Sequence, residues 1–202
     1  SLNNDVAADT AAAVNVYDRD NAFSNVVMVH NCTGTLINAR TVLTAAHCFK
    51  DSQDRFRPDP DSLAVKFSPV AGDSVLRPGG RDSTPHDRAI SGVLLREGYL
   101  FDSAGNDMAI VSLDRPVTGI APVTLVSPDA PAPAFGALAY TVGYGQFGTG
   151  RDGGGYSNSP GQEPAPYDGR RRIGQTRVGG YLPWTFNYGR DPGLYNTVVA
   201  EF

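Results

Sequence analysis

Apolar positions along the chain fall into short runs separated by turn-forming clusters, which is the pattern of strands. The first convincing run is Val26-Val27-Met28-Val29, and the Ala- and Asn-rich residues before it have little strand character. Further strands are predicted at 33–38, 41–45, 63–68, 88–95 and 108–113. Segments such as Arg57-Pro58-Asp59-Pro60-Asp61 and Arg77-Pro78-Gly79-Gly80 punctuate them. Six short strands of this kind predict a small closed barrel. After Asp114-Arg115-Pro116 an extended, Pro-punctuated stretch runs to Pro133, and a second β-region begins near Ala137. Its first strand, 138–142, leads into Gly143-Tyr144-Gly145; residues 146–169 read as a Gly-, Ser- and Pro-rich surface loop, and strands resume at 172–178 and 195–201. The expected organisation is an N-terminal arm at 1–25, a first β-barrel at 26–116, a linker at 117–136, and part of a second β-barrel at 137–202 carrying the 146–169 insertion.

Composition supports the same picture. In 202 residues, 41% apolar and 19% charged positions suffice for one large domain or two small ones, and 23 Gly with 15 Pro favour an all-β chain rich in turns. A net charge of -4 argues against nucleic acid, whose binding rests on clustered Lys and Arg. No run approaches the roughly 20 apolar residues that span a bilayer, so no membrane contact is expected from this chain. The start, Ser1-Leu2-Asn3-Asn4-Asp5, lacks the charged and apolar regions of a signal peptide, and any such leader is expected to have been removed.

Only two cysteines occur, Cys32 and Cys48, and the second closes Thr44-Ala45-Ala46-His47-Cys48. Strands on either side of the turn Asn38-Ala39-Arg40 would pair antiparallel and bring their far ends, and with them the two cysteines, within disulfide reach. Closing a loop of about 15 residues contributes roughly 3 kcal/mol. That bridge implies an oxidising, extracellular compartment. The competing reading is a zinc site made of Cys32, Cys48 and a histidine, but adjacent His47 and Cys48 lack the usual spacing of a ligand pair, so no metal and no cofactor is expected.

In order along the chain stand Cys32-Thr33-Gly34-Thr35-Leu36-Ile37, then Val42 to Cys48, then Asn106-Asp107-Met108-Ala109-Ile110-Val111-Ser112-Leu113, then Gly143-Tyr144-Gly145. This succession resembles the trypsin/chymotrypsin family of serine proteases, strongly over residues 26–145 and weakly elsewhere. The runs Ile90 to Tyr99 and Pro116 to Val123 also resemble the family's pattern around its catalytic aspartate. The resemblance implies two six-stranded β-barrels of chymotrypsin type, the first complete and the second incomplete in these residues. It implies His47 as general base and Asp107 as the carboxylate that orients it, in a triad that hydrolyses peptide bonds of a peptide or protein substrate. Histidine suits the task because imidazole exchanges protons in both directions near neutral pH. The plainer reading of Asp107 is a turn residue after Ser103-Ala104-Gly105-Asn106. Its place beside an apolar strand predicts a carboxylate near the barrel core, where burial without a partner is costly.

The family's nucleophile motif, Gly-Asp-Ser-Gly-Gly, is absent. Gly72-Asp73-Ser74 is followed by Val75-Leu76, and Ser157 and Ser159 lie in the insertion, so neither region offers a nucleophile. The serine is therefore expected from sequence beyond Phe202. The preferred reading is an N-terminal product of a larger protease, cut ahead of the nucleophile, inactive alone, and partnered by the C-terminal fragment that carries the serine. Ser1-Leu2 is unlike the Ile or Val terminus of activated trypsin-like enzymes. The arm, the Gly-rich insertion and the single bridge resemble bacterial secreted members, including autotransporter-type passengers at the cell surface. The alternative class is a protease-like binding protein that has lost catalysis.

Remaining candidates have plain readings. His30 at a strand end and His86 in Thr84-Pro85-His86-Asp87 read as surface residues. Arg170-Arg171-Arg172 with Arg177 invites a processing site or an acidic-ligand patch, yet reads best as a solvated, charged edge strand. Trp184 reads as core or loop packing, and the acidic loop of Asp51, Asp54, Asp59 and Asp61 as solvated carboxylates without calcium spacing.

Overall fold

Four consecutive apolar residues suit a strand covered on both faces, and Val26–Val29 (β1) has that setting. Val27 and Val29 enter a core with Leu36, Val42, Val65 and Val111, while Met28 packs with Tyr144 on the opposite side. The computed structural model describes residues 17–30, 32–49, 64–70, 84–97, 99, 106–127, 129–145, 168–185 and 194–201, and for 175–177, 179–185 and 194–201 it describes the backbone. The Gly72-Asp73-Ser74 run, the acidic loop at 51–61, Phe202 and residues 146–167 of the expected insertion lie outside them.

Five further strands complete the barrel: β2 (Cys32–Asn38), β3 (Thr41–Thr44), β4 (Ala64–Lys66), β5 (Arg88–Leu95) and β6 (Ala109–Leu113). Their order is β1-β2-β3-β6-β5-β4, and antiparallel pairing of Met28 with Lys66 and of Val29 with Val65 closes the ring. Closure leaves no open edge among the six strands. The predicted barrel strands are all present, each ending within a residue or two of its expected position. A short 3-10 turn, Ala46–Phe49, follows β3 and places Phe49 in the core. At the β4–β5 side, Lys66 Nζ stands 3.3 Å from Asp87 Oδ2, and Asp87 also accepts the N–H groups of Phe67 and Thr84. The carboxylate is thus fully engaged where it is hidden from water.

Gly34 in β2 points into the barrel. A methyl group there would stand 2.7 Å from Val29 Cγ2 and 2.7 Å from Val42 Cγ1, so only hydrogen fits between the two valines.

A second, three-stranded sheet is built from β7 (Leu138–Gly143), β8 (Arg172–Thr185) and β9 (Leu194–Glu201), in that order. β8 outruns the predicted 172–178 by seven residues. A proline argues against a central strand, but β7 pairs only with 172–177, so Pro183 lies where β9 is the one neighbouring strand among the described residues. Proline is tolerated at such an edge. Trp184 sits in this extension, opposite Tyr195.

The sheet meets the barrel at Gly143-Tyr144. A Cβ on Gly143 would lie 2.9 Å from Thr33 Oγ1, and the Tyr144 N–H donates to that same oxygen at 3.0 Å. Behind this contact lies Arg171, which the sequence reading placed on a solvated edge and the structure buries completely. Its Nε donates to Asp18 Oδ2 at 2.8 Å, its Nη1 donates to Val26 O at 2.7 Å and to the Tyr144 hydroxyl at 3.0 Å, and its Nη2 meets Asn21 Oδ1. Asp18 in turn accepts the N–H groups of Ala22 and Phe23. The correction has a plain cause: a guanidinium is cheap to bury only when its donors are satisfied, and the partners come from positions far off in sequence. Residues 17–25, expected as an arm, are held at this junction, with Tyr17 bridged to Arg172.

Two outcomes are expected. Gly34→Ala should lower the urea midpoint and cost about 1–3 kcal/mol through overpacking. Burial pushes the Tyr144 phenol up to about 12, although the Arg171 cation pulls it the other way. An unfolded tyrosine titrates near ~10, so the stability tied to this group is complete below that pH and is lost as the pH rises towards 12, by about 3 kcal/mol. Urea midpoints measured across that window should fall more steeply for the native chain than for Tyr144→Phe.

Candidate active site

Antiparallel pairing of β3 with β6 sets Thr44 opposite Ala109. The chain leaves β3 at the end where it enters β6, so His47, three residues past Thr44, comes to Asp107, two residues before Ala109. Register alone thus brings together groups 60 positions apart. The Thr44 hydroxyl donates to Thr33 O at 2.9 Å, fixing the end of β3 against β2. On the other side, Asn106 adopts a left-handed φ of 62°, which asparagine tolerates, and the Met108 N–H donates to Asn106 O at 2.7 Å. That tight bend turns the Asp107 side chain towards the histidine.

The contact is two-pronged. Asp107 Oδ2 lies 2.7 Å from His47 Nδ1, and Oδ1 accepts the His47 backbone N–H at 2.9 Å. One carboxylate therefore holds both the ring and the backbone of the same residue, fixing the ring's rotation. An ionised carboxylate only accepts, so the hydrogen of this bond resides on Nδ1 and the lone pair on Nε2. The pair is more open than the sequence suggested: a third of the Asp107 side chain and about half of the His47 side chain, 33% and 53%, are exposed. The carboxylate lies at the rim of the barrel, and the imidazole partner serves to orient more than to offset burial.

Cys32 and Cys48 form the disulfide, with Cα atoms 6.2 Å apart. Cys48 stands in the 3-10 turn and not on the strand, so the bridge ties the turn that carries His47 to the start of β2. The sequence reading brought the two cysteines and a histidine together only as a competing zinc site; in the structure His47 Nε2 is 3.7 Å from Cys32 Sγ. Both sulfurs are spent in the bridge, so the three donors hold no metal in this oxidised form. His30 lies in the turn between β1 and β2 and His86 in the turn before β5. Asp18 and Arg171, which tie the second sheet to the barrel that bears His47, were missed as a pair because Asp18 reads locally as one more turn residue.

Comparison with known proteins agrees with this architecture. The profile of the family described as Trypsin matches residues 6–178. A protein named snake venom serine protease Haly-2, of Gloydius brevicauda, is 28% identical over 120 residues, covering 59% of this chain and 41% of its own length. CLIP domain-containing serine protease B10 of Anopheles gambiae is 32% identical over 133 residues, or 61% of this chain and 36% of its own. Platelet-aggregating proteinase PA-BJ of Bothrops jararaca is 29% identical over 135 residues, or 63% and 49%. The chain spans less than half the length of each. These relatives lend no support to the bacterial, autotransporter-type affiliation. The profile match over most of the residues, joined to the closed six-stranded barrel, shows that the chain belongs to the trypsin family of chymotrypsin-like serine proteases.

Proposed function

We propose that this chain supplies the base and the orienting carboxylate of a secreted serine endopeptidase. The observation that carries the reading is the 2.7 Å contact between His47 Nδ1 and Asp107 Oδ2. With the hydrogen fixed on Nδ1, Nε2 accepts the proton of a serine hydroxyl as it attacks the scissile carbonyl, and returns it to the leaving amine; Asp107 stabilises the imidazolium between the two steps. An imidazole that is half exposed at the barrel rim is within reach of a substrate and of a second catalytic group.

The nucleophile in this reading comes from sequence outside residues 1–202, because no Gly-Asp-Ser-Gly-Gly run occurs within them. The same outside sequence would supply the remaining strands beside β7–β9 and the pocket that selects the substrate. Secretion is supported by the disulfide and by the naming of one relative as a venom protease. A binding protein without catalysis would have no use for a carboxylate gripping both ring and backbone of one exposed histidine, and no observation favours that alternative.

The test is to treat the full-length protein with a fluorophosphonate probe and map the adduct. One labelled serine outside residues 1–202 is expected; folded protein that takes up no label would refute the proposal. In that protein His47→Ala should lower kcat by about five to six orders of magnitude, and Asp107→Asn by about four, since members of a triad act as a unit. Near-native turnover in either variant would overturn the role assigned to that residue.

A further inference from the structure

Three donors surround one point at the barrel rim: Cys32, Cys48 and His47 each offer a ligand atom, all within 4.8 Å of one another, and His47 presents Nε2 to Cys32 Sγ. Two thiolates and one imidazole form a donor set that suits zinc, with the fourth tetrahedral position left to water. We infer that reduction of the Cys32–Cys48 disulfide converts this point into a binding site for a soft divalent cation, Zn2+ or its spectroscopic substitute Co2+, seated on the Nε2 face of His47.

The geometry is close to what such an ion requires. Zinc bonds of about 2.3 Å to sulfur and about 2.05 Å to nitrogen, at a tetrahedral angle, put the two donors about 3.6 Å apart. His47 Nε2 and Cys32 Sγ already stand 3.7 Å apart. The same arithmetic sets the two sulfurs about 3.8 Å apart, a separation that they reach, once the bond between them is gone, by rotation about each Cα–Cβ bond. Their Cα atoms, 6.2 Å apart, need not move. The histidine is also prepared on its far side. Metal-bound imidazoles commonly donate their second N–H to a carboxylate, which fixes the ring and raises its basicity. Asp107 Oδ2 occupies that position at 2.7 Å from Nδ1. Access is open, since His47 is exposed and Cys32 is only partly covered, whereas Cys48 is buried beneath them. The adjacent positions of His47 and Cys48 would count against a site built on one regular element. Here the 3-10 turn aims the two side chains at a common point, and Cys32 arrives from β2.

The chemistry balances with a phosphine reductant. The disulfide and one water yield two thiols as the phosphine becomes its oxide. Entry of the cation then displaces the two thiol protons, and neutral His47 contributes the Nε2 lone pair without losing its proton on Nδ1. That lone pair is the one that accepts the serine proton in the proposed reaction. Inhibition by the bound ion therefore rests on the endopeptidase reading, whereas binding of the ion does not.

The experiment uses the full chain, reduced anaerobically with the phosphine, freed of reductant and titrated with Co2+. Expected is a thiolate-to-cobalt charge-transfer band in the near ultraviolet with the visible bands of tetrahedral cobalt, saturating at a single equivalent and removed by Zn2+. Oxidised protein should show neither band, nor should the Cys32→Ser/Cys48→Ser variant. His47→Ala should abolish tight binding, and Asp107→Asn should weaken it by about 10–100-fold. Circular dichroism of the reduced chain should keep its β-sheet signature. Absence of the bands in reduced protein that keeps that signature, loss of the signature on reduction, or an unchanged spectrum in His47→Ala would each overturn the inference. Loss of peptidase activity on metal binding is a separate readout: an oxidised protein with no activity speaks against the endopeptidase reading and leaves the cobalt titration as the judge of the metal site.

Discussion

The pairing of Thr44 with Ala109 is the constraint on which the site depends. A slip of one residue between β3 and β6 would turn Val42 and Val111 out of the core and swing Asp107 to the wrong face of the barrel. The hydrophobic pattern therefore protects the chemistry: the residues that enforce the register are apolar and buried, and the two that profit from it are polar and at the rim. The disulfide adds a second restraint, tying the turn that carries His47 to the start of β2. Between them, register and bridge hold the imidazole from both of its flanks.

Much of this was legible in residue order. The six barrel strands announce themselves as short apolar runs between Gly- and Pro-rich turns, because a strand in a closed barrel buries alternate residues and must end abruptly. His47 and Asp107 were legible through their surroundings, a cysteine after the histidine and an apolar strand after the aspartate. What escaped was whatever depends on partners distant in sequence. Arg171 reads as a surface cation until Asp18, Asn21, Val26 and Tyr144 are seen around it. The length of β8 escaped for a related reason: Pro183 is disallowed or tolerated according to which sides of the strand are paired, and the local sequence is silent on that. The exposure of Asp107 and the nearness of Cys32 to the His47 ring are likewise facts of assembly.

The junction between barrel and sheet works differently from the barrel itself. Inside the barrel, valines and leucines pack with little directional demand. At the junction, Thr33, Tyr144, Ser68 O and Val26 O are joined by directed hydrogen bonds, with the Tyr144 hydroxyl donating to Ser68 O at 2.6 Å. Polar contacts of this kind tolerate few alternative arrangements, because any displacement leaves buried donors unsatisfied. The second sheet is in this way keyed to the first barrel in one orientation.

The buried Asp18–Arg171 pair also has a place in time. Its members are 153 residues apart, and the whole of β1 to β6 lies between them. At translation rates of about 5–20 residues per second, Asp18 leaves the ribosome on the order of ten seconds before its partner. The barrel strands are complete well within that interval. Until Arg171 emerges, the Asp18 carboxylate has the N–H groups of Ala22 and Phe23 to accept from but lacks its cationic partner. The burial of Asp18 against its cation is thus set by a residue made long after it and not by its own neighbours.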